Sequence, residues 1–134
     1  MIENHNFNLN YFFSKQLENL KCDYDTRAYI VSIFEKFKSS SADYSKDSIT
    51  LLYAEAKYKQ DFYTFQSIAD WIFFINALFP EHFNNASQDY YYSVGRLSYY
   101  SCYNLLNRQW KIYERLADDL VPLSFSTREI IRKY

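Results

Sequence analysis

Gly95, Pro80 and Pro122 are the whole complement of glycine and proline in a chain of 134 residues. A β fold with many turns draws heavily on both residue types, because its turns need left-handed or pre-set backbone angles. Their scarcity therefore argues for long helices with few breaks. The many β-branched and aromatic side chains would suit strands equally well, but spacing decides: apolar residues recur at three and four, not at two. A chain this long can bury a sizeable core within one domain. The sequence thus reads as all-α, a single helical domain over residues 1–134. Six or seven helices form an irregular bundle around a central pair at about 62–79 and 87–106.

Taken in order, residues 8–21 place Leu9, Phe12 or Phe13, Leu17 and Leu20 on one stripe, with Asn8 or Asn10 as cap. Asp25 or Thr26 is expected to cap a second helix that runs to about Lys38 and buries Ile30, Ile33, Phe34 and Phe37. Ser39 to Ser45 is polar and short, a loop. A third helix begins near Lys46 or Asp47 and either ends near Lys59 or runs on into the next. The fourth, about 62–78, is apolar nearly all round between Trp71 and Phe79, which demands partners on several sides. Pro80 ends it. A corner follows, and Ser87 is expected to cap the fifth helix, which runs to about Leu106. A sixth spans about 108–120 and is expected to break at Pro122; Ser126, with Glu129 three positions on, would cap a last short helix.

Composition narrows the function classes. Fifteen basic and sixteen acidic residues leave a formal charge of -1, which gives no field for nucleic acid or an anionic membrane. The longest apolar block, Trp71 to Phe79, contains Asn76 and is too short to span a bilayer. Two cysteines, Cys22 and Cys102, make neither a disulfide framework nor a four-ligand zinc site. No secretory signal is visible at the N-terminus. These readings point to a cytoplasmic protein without metal or cofactor, although delivery as an effector without a cleaved signal fits the sequence too. Aromatic residues reach 22%, with 15 Tyr and 12 Phe. Tyrosine suits both the edge of a core and a contact surface, while compositional drift towards Asn, Lys, Ile and Phe is the bland alternative.

Few residues offer chemistry. Gly95, Ser98 and Cys102 share one face of the fifth helix, either for close packing on the fourth helix or for contact with a second copy. Asp70 stands within the most apolar helix and must find water or a partner; Arg96, Arg27 and tyrosine hydroxyls are the candidates. It is either a polar staple between helices or a general base with a raised pKa. His82 follows Pro80 in the corner and could act as an acid or a ligand, and Tyr91 and Tyr99 flank the same helix junction. No phosphate loop, no Glu-x-x-His pair and no Ser/His/Asp or Cys/His arrangement is suggested by local sequence.

Three stretches carry a resemblance. Arg27-Ala-Tyr-Ile at the start of the second helix, Ile68-Ala-Asp-Trp through Leu78-Phe-Pro80 in the fourth, and Asp89-Tyr-Tyr-Tyr-Ser-Val-Gly-Arg-Leu-Ser-Tyr99 in the fifth resemble a family of uncharacterised bacterial proteins. That family carries an Arg-x-Tyr-Leu helix, a Leu-Gly-Asp…Phe-Pro helix and an Asp-Tyr-Tyr…Gly…Tyr helix. The likeness covers about residues 26 to 120, and Arg27, Tyr29, Asp70, Pro80, Tyr91, Gly95 and Tyr99 match its pattern. Ala69 and Ala77 stand where the family has glycine. The resemblance implies a compact helical domain of bacterial origin and implies no activity.

The leading expectation is a non-enzymatic protein-interaction domain, with a homodimer as one form of it. The alternative is a small-ligand-binding protein or enzyme with a polar pocket around Asp70, Arg96, Tyr91, Tyr99 and His82.

Overall fold

The computed structural model describes residues 15–37, 44–83 and 87–132. These residues are all-α: after a helical start at 15–17 come α1 (Tyr24–Phe37), α2 (Lys46–Lys59), α3 (Phe62–Leu78), a 3-10 turn (Pro80–His82), α4 (Gln88–Leu105), α5 (Lys111–Asp118) and α6 (Leu120–Arg132). The proposed stripe at 8–21 lies mostly outside the described residues. Its two described members, Leu17 and Leu20, are buried in the core.

The central pair is α3 and α4, as the apolar pattern demands. α3 packs against α1, α2, α4 and α6, so it has no solvent face through its middle, and it buries Phe65, Ile68, Trp71, Ile72 and Phe73. Each such side chain contributes on the order of 1.5–3 kcal/mol through removal from water. Asn76 is one of two buried polar residues in this apolar helix, with Asp70, and its side chain is bonded at both ends. Its Nδ2 donates to Ser124 Oγ (2.6 Å), its Oδ1 accepts from Tyr92 (3.0 Å), and Arg128 of α6 donates to its carbonyl. That guanidinium satisfies one of the last orphan carbonyls of α3 and ties the helix end to α6.

Several helix ends differ from the sequence expectation. The cap of α1 is Asp23, not Asp25 or Thr26: its carboxylate accepts from the Thr26 amide (3.1 Å) and the Thr26 hydroxyl (2.6 Å). Burial is the largest single influence and pulls this carboxyl up, but those two bonds and the Arg115 guanidinium together outweigh it and hold Asp23 below its ordinary range. α2 does stop at Lys59, because Gln60 adopts a left-handed conformation (φ 54°) and its amide closes on Ala56. Asp61 then caps α3 by accepting from the Thr64 amide. Ser87 precedes α4 in the expected place, yet makes no side-chain cap bond there.

The largest difference lies at the C-terminal end. Asn107 and Arg108 both have positive φ (58° and 59°), so the chain turns where a helix was expected to begin, and α5 starts only at Lys111. Pro122 breaks nothing. It is the third residue of α6, within the first turn, where a missing N–H costs no helix bond. Ser126 and Glu129 consequently lie inside α6 and cap no helix.

Gly95 lies where α4 crosses α3 and the start of α6. A Cβ built there would stand 3.1 Å from Ile72 Cγ2 and 3.2 Å from Leu120 Cδ1. Close approach, not backbone conformation, is what requires glycine, since its φ is helical. Gly95→Ala gains about 1 kcal/mol of helix propensity and spends most of it displacing Ile72, so its unfolding midpoint should barely move. Gly95→Leu should lose roughly 1–3 kcal/mol through overpacking. Urea denaturation of the two variants checks this, and an unperturbed leucine variant would show the crossing to be looser than described.

Candidate functional site

Asp70 is held on the α1-facing side of α3, only 3% exposed. Its Oδ1 accepts from two tyrosine hydroxyls, Tyr29 of α1 and Tyr99 of α4, each at 2.8 Å. Its Oδ2 faces the Lys36 ammonium at 3.3 Å. Tyr29 and Lys36 are seven residues apart on α1 and so share a face. The three helices thus meet on one carboxylate. The Tyr29, Tyr99 and Tyr113 rings surround it in edge-on and tilted pairs, with centroids 5.6–6.5 Å apart. Gln66 of α3 donates to the Tyr113 hydroxyl at 2.8 Å.

Burial pushes the Asp70 carboxyl above its ordinary range, against the opposing pull of Lys36 and the two hydroxyls. Burial comes first here because the Lys36 side chain is 41% exposed and its charge is screened by water. Burial and the neighbouring carboxylate also push Tyr29 and Tyr99 far upward, so neither hydroxyl gives up its proton near neutral pH. The arrangement can hold three helices in register and can take up a proton. Among the described residues, no cysteine, serine, threonine or histidine bonds to it.

The other residues singled out by sequence have their contacts elsewhere. Arg96 donates through Nε to the Ala117 carbonyl at 3.2 Å, at the C-terminal end of α5. Tyr91 stacks on Phe83 (4.3 Å, 21°) and tilts against Trp71. His82 stands exposed at the corner, edge-on to Trp71 at 5.6 Å. Arg27 donates to the Glu18 carbonyl at 2.7 Å. Of the proposed pocket, the structure brings only Asp70 and Tyr99 together. Gly95, Ser98 and Cys102 are buried within the chain, with the Cys102 thiol directed at the Phe62 carbonyl and pushed well up by burial. That face packs helices of one chain and is not open to a second copy. Among the described residues no group of His, Cys, Asp and Glu could hold a metal ion, and no helix is long and apolar enough to cross a membrane.

The feature that the sequence reading missed lies on the outer side of α1. A groove of about 500 Å³ runs between α1 and α5, lined by Asp25, Ala28, Tyr29, Trp110, Ile112 and Tyr113. A second, of about 430 Å³, lies on the other side of α1 among Glu18, Tyr24, Arg27, Ala28 and Val31. They share Ala28, a small residue on the crest of the helix. Trp110 is 60% exposed and Tyr24 75% exposed, so two large aromatics bracket the paired grooves. Charges of both signs line them: Arg115 is paired with Asp23 at 2.8 Å, and Lys111 donates to the Tyr103 hydroxyl at 2.9 Å. Trp110 did carry a signal, since it falls outside the Ile112, Tyr113, Leu116 and Leu120 pattern, of which Ile112 is partly buried and the other three are buried. No family model, no curated protein and no solved structure matches the chain.

Proposed function

We propose that this chain is a non-enzymatic, cytoplasmic protein-interaction domain whose recognition surface is the outer face of α1 with its two grooves. The carrying observation is the placement of Trp110 and Tyr24 at the edges of grooves that meet at Ala28. Tryptophan and tyrosine are the residue types that dominate binding energy at interfaces, and a mixed-charge border around an apolar strip is the usual anatomy of such surfaces. Two free thiols, one of them fully buried, support a reducing compartment.

The test is quantitative affinity capture from cells with wild type, Trp110→Ala and Tyr24→Ala, each checked for an unchanged unfolding midpoint. A partner that binds this face should lose about 2 kcal/mol or more, roughly thirtyfold, with Trp110→Ala. Partners retained equally by all three proteins would sink the proposal.

A further inference from the structure

We infer that α2 is the contact through which two copies of this chain pair, antiparallel, about a twofold axis near Leu52 and Tyr53. The inference is independent of the α1 grooves. α2 is the most peripheral of the longer helices: it fully buries only Ile49 and Ala56. Its opposite face carries Asp47, Leu51, Ala54 and Tyr58, spaced at four, three and four, which places them in one row. Leu51 is 71% exposed and Tyr58 90% exposed, the highest among the exposed large apolar side chains of the described residues apart from two other tyrosines at 75%.

A second copy is the fitting occupant because this row complements its own reverse. The first turn of α2 is marked by Asp47 and the last by Lys57 and Lys59. All three lysines of α2 have contacts within their own chain: Lys46 lies over the Tyr90 ring of α4 at 5.2 Å, Lys57 over the Tyr53 ring at 5.1 Å, and Lys59 pairs with Glu55 at 2.7 Å, so Lys57 can meet an opposing carboxylate only by swinging its ammonium off Tyr53. Reversing one helix against another sets Leu51 against the partner's Ala54 and Ala54 against the partner's Leu51. Asp47 then faces the partner's Tyr58 hydroxyl with the partner's Lys57 beside it. A parallel pairing would instead set Asp47 against the partner's Asp47. Antiparallel pairing also opposes the two helix dipoles favourably, and an isologous contact of this kind closes as a dimer. Fourteen residues of helix span about 21 Å, a contact at the small end of specific interfaces, so the dimer is weak.

Sedimentation equilibrium of the full chain between about 1 µM and about 1 mM reads this directly. Wild type should dimerise within that range. Leu51→Glu and Tyr58→Glu, both at exposed positions that leave the fold intact, should each raise the dimer Kd about tenfold or more. Asp47→Lys should raise it roughly fivefold, and adding Lys57→Glu to the same chain should restore it, because each charge meets its swapped partner across the two copies. A wild type that stays monomeric throughout overturns the inference. So does a dimer that survives Leu51→Glu and Tyr58→Glu, or one that is lost only with Trp110→Ala, which would move the self-contact to the grooved face.

Discussion

Asp70→Ala should lower the unfolding free energy by about 3–5 kcal/mol, while Asp70→Asn should be tolerated at neutral pH. The alanine variant leaves the Tyr29 and Tyr99 hydroxyls without their acceptor, one of them in the fully buried centre of the bundle, and opens a small cavity between three helices. Asparagine keeps an oxygen where both hydroxyls donate. It forfeits only the attraction of Lys36, which is exposed enough to turn to water. Tyr99→Phe, which removes one of the two bonds without removing the acceptor, should cost about 1 kcal/mol. Denaturant midpoints of the three variants at pH 7 rank these effects, and an alanine variant within 1 kcal/mol of wild type would falsify the staple.

The same residue sets a pH dependence whose sign follows from its raised pKa. In the native state Asp70 binds a proton at pH values where the unfolded chain, with an ordinary carboxyl near 3.9, has already released it. Over that window the native state holds more protons, so stability falls as pH rises. Wild type should therefore be most favoured relative to Asp70→Asn below about pH 3.9 and should lose ground as pH rises through the native pKa, by about 1.4 kcal/mol for each unit of displacement. Measuring the difference between the two proteins at each pH cancels the other carboxylates, including Asp23, whose lowered pKa acts in the opposite direction. A difference that grows in favour of wild type with rising pH would mean that Lys36 and the hydroxyls outweigh burial.

How much of this was legible in the sequence depended on whether the signal was periodic. The central pair was legible because α3 and α4 repeat their apolar residues at helical spacing and are separated by a proline. Asp70 stood out because a carboxylate within so apolar a run has to be bonded. Tyr29 and Tyr99 are the residues that meet on it. Tyrosine hydroxyls were among the candidate partners of Asp70 and two of them do bond it, but which two was not legible, because that depends on how α1 and α4 lie across α3. Arg27 and Arg96 were plausible by charge, yet Arg96 is spent on a carbonyl of α5 and Arg27 on Glu18. Helix ends near Pro122 were misread because a proline in a first turn and a proline after a last turn look alike in sequence. The α1 grooves were invisible for a related reason: they are spaces between elements distant in sequence, and only the unpatterned Trp110 hinted at them.

Trp71→Ala should cost about 3–5 kcal/mol, a large share of the roughly 5–15 kcal/mol that holds a domain of this size. The side chain next to Asp70 points away from the staple and joins a different set of elements. Its indole is fully buried and meets Tyr44 ahead of α2 (5.2 Å), His82 and Phe83 at the corner (5.6 and 5.9 Å) and Tyr91 in α4 (6.3 Å). The 3-10 turn of the corner spans three residues, and none of them is buried. Truncating the indole removes the ring against which the stacked pair of Phe83 and Tyr91 packs, so the amides of Phe79, Glu81, His82 and Phe83 should exchange with solvent sooner than those of α3. Trp71→Phe, which keeps a ring in the gap, should recover half or more of the loss. The chain's only other tryptophan is the exposed Trp110, so Trp110→Phe supplies a background in which Trp71 fluorescence reports unfolding alone. A Trp71→Ala protein with a wild-type midpoint and an unchanged corner would show that Phe83 and Tyr91 hold the junction by themselves.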